Sequence, residues 1–272
     1  MTFLLAAEGV GEISENLGGL FEFRPFLAPE SAFFALNRVG LLYLLSAVIV
    51  GLLMVAAFGN AKLVPTRFQL VMESLVGFVR NNIAIDVIGP KGARYAPLLT
   101  AMFLFILINN LYGITPLVNF PTSSRMALPA MLAIMTWAVF ILAGVRTHGM
   151  RYFLDAVKPS GVPGYVLPLI IPIELVSTFI VRPLTLAVRL FANTMAGHII
   201  LAIVFLSANT FLFDVNSLEF LPSGAIGGVL GLVLTFAAGP AMVVFELIVA
   251  TIQAYIFTIL TAVYINSSLS HH

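Results

Sequence analysis

The stretch PLIIPIELVSTFIVRPLTLAVRLFANTMAGHIILAIVF, Pro168 to Phe205, decides how this chain folds. Nearly all of it is apolar, yet Arg189 lies near its centre. A guanidinium cannot lose its proton to escape a low dielectric. Placing one mid-membrane costs roughly 2.5 to 3.5 kcal/mol even on the mildest scale. Such a residue is tolerated where it has a partner or a water-filled site, so we predict a membrane helix in which Arg189 is functional.

Composition places the chain among integral membrane proteins. Its 272 residues are 60% hydrophobic and 9% charged, whereas a soluble domain carries about 25% charged residues. The net charge of +1 argues against nucleic-acid binding, which needs a concentrated basic face. The absence of cysteine excludes disulfides, thiolate metal sites and cysteine nucleophiles. We therefore expect no cofactor, no metal and no nucleic-acid partner.

Apolar runs of about 20 residues mark helices that cross a bilayer. Five runs reach that length: 39–58, 96–118, 127–145, 165–205 and 224–265. The last two are about twice as long as a perpendicular helix requires. Because the fourth run has no turn cluster at its midpoint, we favour two long, bent, strongly tilted helices. Four spans in two hairpins are the alternative, and Gly239-Pro240 is a break signal in the fifth run.

A further apolar segment, residues 68–88, is interrupted by polar side chains, namely Gln69, Glu73, Arg80, Asn81, Asn82 and Asp86. That pattern is typical of an interfacial amphipathic helix rather than of a sixth span. The sequence thus predicts an all-α integral membrane protein with a single membrane domain, residues 37–265. An acidic extracytoplasmic segment, 1–36, precedes it, and a short cytoplasmic tail, 266–272, follows.

Charged loops predict the orientation. Basic residues concentrate in residues 59–95 and after the third span: Lys62, Arg67, Arg80, Lys91, Arg94, Arg146, Arg151 and Lys158. Residues 1–36 and 207–223 are instead acidic, and Arg125 is the exception to the trend. By the positive-inside rule, five crossings place the N-terminus outside and the C-terminus in the cytoplasm.

Ionisable and amide side chains also occur inside the two long runs: Glu174, Arg182, Arg189, Asn193, His198, Glu246 and Gln253. Helical spacing sorts them into faces. Asn193 lies four residues beyond Arg189 on the same face, whereas His198 lies about 180 degrees away. Glu246 and Gln253 are seven residues apart on one face of the last helix. A permanent cation on one face, with titratable groups on others, is the division that a proton path needs.

Each of these residues also has a purely structural interpretation. Arg182, just before Pro183, reaches toward an interface in that interpretation, and His198 is a satisfied polar residue. Glu246 is then only a neutralising partner for Arg189. Their combination on two long helices argues against a structural role for all of them.

Three motifs resemble subunit a of the F-type ATP synthases. The central one is RPLTLAVRLFANTMAGH, Arg182 to His198. The others are FELIVATIQAYIFTILTAVY, Phe245 to Tyr264, and NLYGITP, Asn110 to Pro116. The resemblance covers most of the chain from about residue 60 onward.

The resemblance implies a non-catalytic, proton-conducting stator subunit beside a rotating ring of c subunits. It implies b-type peripheral stalk subunits and the soluble catalytic sector as further partners, in a lipid bilayer. Two offset half-channels reach the ring from opposite sides, and Arg189 faces the carboxylate of each passing c subunit. We expect a bacterial plasma membrane, with an organelle inner membrane as the alternative. The sequence leaves open whether protons or sodium ions are carried.

The resemblance also assigns roles to individual positions. His198, Glu246, Gln253 and Asn193 line or border the half-channel open to the outside. Glu174, with Ser177 nearby, lines the cytoplasmic one. Glu174 lies nine residues before Pro183, one more than the spacing that the resemblance leads us to expect.

Another class of protein stays possible from the residues alone. A self-contained, proton-coupled secondary transporter would have inverted repeats and a substrate site near the midplane. An intramembrane hydrolase is a weaker option, since no His-x-x-x-His or Ser/Lys constellation accompanies His198 and Glu246. The chain also has no Gly-x-x-x-x-Gly-Lys-Ser/Thr phosphate loop.

Overall fold

The structure is a computed structural model, and it describes residues 38–59, 65–115, 122–155, 166–212, 229 and 231–270. The described residues form helices and turns without a strand. Five helical segments are long and apolar enough to cross a membrane: Val39–Phe58, Pro90–Leu111, Ala127–Arg151, Leu167–Phe205 and Gly231–Leu269. The prediction of an all-α membrane protein with five spans, the last two long, is therefore confirmed. The predicted segment 1–36 lies outside the described residues.

The helices are numbered in chain order. They are α1 (Arg38–Phe58), α2 (Arg67–Phe78), α3 (Ala96–Leu111), α4 (Ala127–His148), α5 (Leu167–Val176), α6 (Arg182–Leu212) and α7 (Gly239–Leu269). After α2 the chain continues through a π-helical turn, Val79–Ile85, and the short helix Asp86–Ile88. These pieces together cover the predicted interfacial segment.

Each of the last two spans is a continuous run of 39 residues. Such a run is about 58 Å long at 1.5 Å per residue, whereas the bilayer core is about 30 Å thick. The runs are single helical segments and not hairpins, so the four-span alternative is wrong. Their length requires them to tilt or to extend beyond the hydrocarbon core.

Both long spans contain a π-helical turn directly before a proline. The turns are Ser177–Val181, before Arg182-Pro183, and Leu234–Ala238, before Gly239-Pro240. A proline ring clashes with the carbonyl of the residue four positions earlier. Those residues, Phe179 and Phe236, are the middle residues of the two turns. The wider turn moves the carbonyl aside, which is why Gly239-Pro240 distorts the helix without ending it.

The C-terminal ends of α3 and α4 differ from the predicted bounds. α3 ends at Leu111 and is followed by a turn at Tyr112–Ile114, whereas the apolar run predicted helix to residue 118. Asn109 and Asn110 near this end bond the segment Thr122–Ser124, which fixes where the chain leaves the helix. α4 continues to His148, where Gly149 ends it with a positive φ of 64°.

The core lies where α3, α4, α6 and α7 meet. Its fully buried side chains include Leu99, Ile106, Phe140, Leu190 and Phe257. α7 packs against α3, α4 and α6, and α1 packs on α3 at the edge. The two long spans are therefore held side by side, which positions their polar residues.

One end of α7 is anchored by the short helix Tyr152–Asp155. The buried Tyr152 hydroxyl lies 3.1 Å from Ser268 Oγ, and Gly144 leaves room for the Tyr152 ring against α4. Phe153 stacks on Phe179 in the π turn, with ring centroids 6.0 Å apart. These contacts tie the π turn of the fourth span to the C-terminal end of α7.

Candidate functional site

Arg189 lies on α6 with its side chain exposed. Within the described residues it makes no hydrogen bond and no ion pair. It borders an open cleft between α6 and α7, together with Ala192, Ile252 and Ile256. A permanent charge in a membrane span is stabilised by a countercharge or by water. For Arg189 either has to come from outside the described residues.

A cavity of about 240 Å³ lies beside this cleft, also between α6 and α7. Its lining includes Asn193, Gly197, Glu246 and Gln253. Glu246 and Gln253 are buried, with 8% and 4% of their surface exposed. Glu246 Oε2 and Gln253 Nε2 have no hydrogen-bond partner among the described protein atoms. Buried polar atoms of this kind are ordinarily satisfied by water, and the cavity is large enough to hold several molecules.

The cavity and the cleft meet at one hydrogen bond. Asn193 Nδ2 donates to Gln253 Oε1 over 3.2 Å. Both residues line the cavity and also border the cleft that contains Arg189. The amide pair is therefore the polar boundary between the two spaces.

The wall of the cavity opposite Glu246 is Gly197. A Cβ atom at this position would lie 3.5 Å from Glu246 Oε1, an ordinary van der Waals contact. Any larger side chain would extend into the cavity, so the small residue keeps the space beside the carboxyl group open.

His198 is buried on the side of α6 away from Arg189, as the helical spacing predicted. It is next to Gly197 in the sequence, but it is not among the residues that line the cavity. The structure thus brings Asn193, Glu246 and Gln253 together, and it places His198 behind the cavity wall.

Glu174 belongs to a second polar group, near the other end of the fourth span. Its Oε1 lies 3.6 Å from Arg182 Nη2 and accepts a hydrogen bond from Thr178 Oγ1 over 3.3 Å. Arg182 also donates to Ser267 Oγ over 3.5 Å, and its guanidinium carbon lies 5.7 Å from the centre of the Tyr264 ring. Ser177, the other residue predicted here, begins the π turn and is half-buried.

Sequence reasoning missed Asn110 and Thr178 as members of these groups. Asn110 lines the cavity, and its Oδ1 accepts a hydrogen bond from Ser123 Oγ over 3.0 Å. Its motif NLYGITP was recognised, but nothing in the sequence placed that motif beside Glu246. Thr178 lies four residues after Glu174, a spacing that brings side chains together on a helix and so gave a usable signal.

The described residues contain no group of three or more His, Cys, Asp or Glu side chains that could hold a metal ion. The polar groups that line the cavity are three amides, the Thr194 hydroxyl and one carboxyl group, and the rest of the lining is apolar.

A comparison with known proteins finds relatives over most of the chain. A family model described as ATP synthase A chain matches residues 40–266. The chain is 40% identical to ATP synthase subunit a of Pseudarthrobacter chlorophenolicus over 246 residues, which are 90% of this chain and 89% of that protein. It is 41% identical to ATP synthase subunit a of Bradyrhizobium diazoefficiens over 229 residues, 84% of this chain and 86% of that protein. The Parafrankia subunit a is 41% identical over 254 residues, 93% and 81% of the two chains.

Proposed function

The chain belongs to the ATP synthase A chain family of the F-type enzymes, and from this premise we propose that it conducts protons to a rotating ring through two offset half-channels. As a subunit a it is a multi-pass membrane component of the ATP synthase complex, whose catalytic sites lie in other subunits. Family membership argues against a self-contained secondary transporter.

Arg189 is the observation that carries the proposal. It is exposed on a membrane span and has no ion-pair partner among the described residues. The surrounding surface is apolar or small, with Val188, Ala192 and Ile252 exposed beside it. A carboxylate on a neighbouring membrane helix would supply the missing countercharge, and a ring of c subunits would present one such carboxylate after another.

The cavity serves as the half-channel open to the outside. Water in it would satisfy Glu246 Oε2 and Gln253 Nε2, and a water-filled cavity gives protons an aqueous route. Glu246 is the titratable group on this route. His198 is buried behind the wall that Gly197 forms, and the Asn193–Gln253 pair is where the route reaches the cleft.

The cytoplasmic half-channel lies near Glu174 and Ser177. These residues are on the same long span as Arg189 but about three to four turns before it, whereas the cavity residues Asn193 and Gly197 come after it. The two polar groups therefore lie on opposite sides of the arginine along this span. Separate groups on either side of a fixed cation are what two offset half-channels require.

The mechanism follows from charge and solvation. A carboxyl group that faces lipid is tolerated only when it is protonated. Next to the guanidinium of Arg189 the ionised form is favoured, so a proton is released there toward one half-channel. Reprotonation from the other half-channel lets the carboxyl group move back into lipid. Because Arg189 keeps its charge, it also repels a proton that would pass directly between the half-channels.

We place the complex in a bacterial plasma membrane, because the relatives named above are bacterial. A b-type peripheral stalk would hold this subunit still against the ring. The chain would then convert the proton gradient, about 2.3 kcal/mol per charge per 100 mV, into rotation.

The test is made on membrane vesicles that carry the whole complex with Arg189→Ala. We expect loss of ATP-driven acidification and of ATP synthesis under an imposed proton gradient, with normal amounts of the subunit in the complex. Arg80→Ala, an exposed arginine on the interfacial segment, is the matched control. Coupled activity that survives Arg189→Ala would refute the mechanism.

Contact with the ring is tested by disulfide cross-linking. Because this chain contains no cysteine, an introduced cysteine is the only thiol that the subunit contributes. A cysteine at Ile252, in the cleft, should cross-link to a cysteine placed beside the carboxylate of a c subunit. A cysteine at Ile134, exposed on α4, is the control and should not. Equal cross-linking at both positions would place the ring elsewhere.

A further inference from the structure

The polar group around Glu174 depends on the π turn at Ser177–Val181. Glu174 and Arg182 are eight residues apart, and on a regular α-helix this spacing places two side chains about 80 degrees apart. A π turn contains one extra residue. The pair therefore behaves like a seven-residue spacing, which is about 20 degrees from perfect alignment. The extra residue before Pro183 is absorbed in the turn, and the two charges come to lie on one face.

Arg182 is fixed on that face by several contacts. Its guanidinium lies between Glu174 Oε1, 3.6 Å away, and Ser267 Oγ, 3.5 Å away. The Tyr264 ring lies beneath it at 5.7 Å. Thr178, which is 2% exposed, donates to the same carboxylate oxygen that faces Arg182. The carboxylate is thus turned toward Arg182.

Arg182 and Arg189 are the two arginines of this span, and they are about 10.5 Å apart along the helix. They differ in ion pairing. Arg182 faces the carboxylate of Glu174, whereas Arg189 has no acidic partner among the described residues. At that separation an unpaired Arg182 would favour the ionised form of a carboxylate bound at Arg189. The protonation equilibrium constant of that carboxylate would change by roughly tenfold.

We propose that Glu174 is the counter-ion of Arg182, held in register by the π turn, so that Arg189 is, among the described residues, the uncompensated cation that the rotor carboxylate meets. In this role Glu174 need not carry protons itself. The proposal rests on the proposed function and assigns to Glu174 and Arg182 a positioning role in it. An unpaired Arg182 would hold the ionised rotor carboxylate at the stator and slow its reprotonation.

The test is a double-mutant cycle in vesicles that carry the whole complex: Glu174→Gln, Arg182→Gln and the double variant. ATP-driven acidification is measured per assembled subunit a. We expect Glu174→Gln to lower it by about tenfold, because Arg182 is left unpaired. Arg182→Gln should lower it less. The double variant should return to within about threefold of wild type, because the unpaired cation is gone.

The matched control is Glu73→Gln, an exposed glutamate on α2 that should leave acidification unchanged. A double variant as impaired as Glu174→Gln would overturn the proposal, since Glu174 would then be needed for itself, as a proton carrier. Equal losses in all three variants would also overturn it, in favour of a merely structural pair. Wild-type activity in all three would show that the pair has no part in coupling.

Deletion of Ile180, an exposed residue of the π turn, tests the register separately. The deletion should convert the turn to a regular α-helix in which Glu174 and Arg182 are seven residues apart, about 20 degrees from alignment. Because the pair stays on one face, we expect acidification per assembled subunit close to that of wild type, and Glu174→Gln in this background should lower it as it does in the undeleted chain. A loss like that of Glu174→Gln from the deletion alone would contradict the register on which the counter-ion role depends.

Arg189→Ala is measured in the same vesicles to keep the two proposals apart. If Arg189→Ala keeps coupling, the proposed function fails whatever the cycle gives. If Arg189→Ala abolishes coupling and the double variant shows no recovery, the counter-ion proposal fails alone.

Discussion

Asn193 donates a hydrogen bond to Gln253 over 3.2 Å, and this bond joins the two long spans at the boundary between the cavity and the cleft of Arg189. The bond crosses from α6 to α7, sixty positions later in the chain. In the proposed function a proton that moves from the cavity to the rotor passes this bond, so we expect the pair to control access to Arg189.

Gln253→Met should strongly impair proton transport. The thioether has a similar volume but leaves the Asn193 amide without its acceptor, and an unsatisfied buried group costs about 1 to 3 kcal/mol. We expect ATP-driven acidification to fall by about tenfold or more. Thr251→Ala is the control, because Thr251 is exposed and bonds only the Leu247 carbonyl of its own helix. Equal activity of the two variants would show that the Asn193–Gln253 pair has no part in proton transport.

Gly197→Leu should block the cavity, whereas Gly197→Ala should be tolerated. An added Cβ meets Glu246 Oε1 at an ordinary 3.5 Å, but a leucine side chain would occupy the space that water needs. Passive proton conduction is measured in vesicles stripped of the catalytic sector, and we expect the leucine variant to lose most of it. Gly51→Leu on α1 is the control, since nothing lies within 4 Å of a Cβ there. Full conduction in Gly197→Leu would mean that protons do not use this cavity.

Asn110→Ala and Ser123→Ala should differ in effect although they break the same hydrogen bond. Asn110 lines the cavity, whereas Ser123 only bonds its Oδ1 from the neighbouring segment. Loss of the bond alone costs about 1 kcal/mol. We therefore expect Ser123→Ala to pump protons nearly as well as wild type, and Asn110→Ala to pump several-fold less. If both variants pump equally, Asn110 acts only as an anchor for the Thr122–Ser124 segment.

Tyr152→Phe should lower the thermal stability of the subunit at neutral pH and lower it less at alkaline pH. Burial raises the pKa of the Tyr152 hydroxyl above its usual value of 10.0, although the hydrogen bond with Ser268 opposes the shift. A pKa raised by folding stabilises the protein below about pH 10, and this contribution is lost as the pH rises toward the folded-state pKa.

The measurement is the temperature at which the subunit leaves the detergent-solubilised complex. At neutral pH we expect the phenylalanine variant to be less stable by about 1 kcal/mol, the net contribution of one hydrogen bond, and so to leave the complex at a lower temperature. Above about pH 10 the difference from wild type should shrink, because only wild type has a hydroxyl to ionise. Tyr95→Phe, whose hydroxyl bonds Arg94, is the control. A difference that grows with pH would contradict this account.

Much of the architecture follows from the sequence because membrane spans obey simple rules. Runs of apolar residues predict helices, since every backbone polar group in lipid must be satisfied within its own segment. The spacing of Glu246 and Gln253 predicted a shared face, and both are buried beside one cavity. The spacing of Arg189 and His198 predicted opposite faces, and the first is exposed while the second is buried.

Other parts of the site depend on contacts that no local pattern contains. Asn110 joins the cavity because α3 packs against α7. Arg182 is held by Tyr264 and Ser267, more than eighty positions away. The nine-residue spacing from Glu174 to Pro183 was visible in the sequence, but its consequence depends on where the helix widens into a π turn.

The sequence by itself determined an all-α membrane protein with two double-length spans and a permanent charge at Arg189, because lipid imposes length and burial rules on each segment separately. The tertiary structure decided which charges are paired and where the cavity lies. Arg182 and Arg189 are alike in sequence, but packing of α7 against α6 gives Arg182 partners and leaves Arg189 exposed. Pairing depends on distances of a few ångströms between segments far apart in the chain, and only the folded arrangement of the helices fixes those distances.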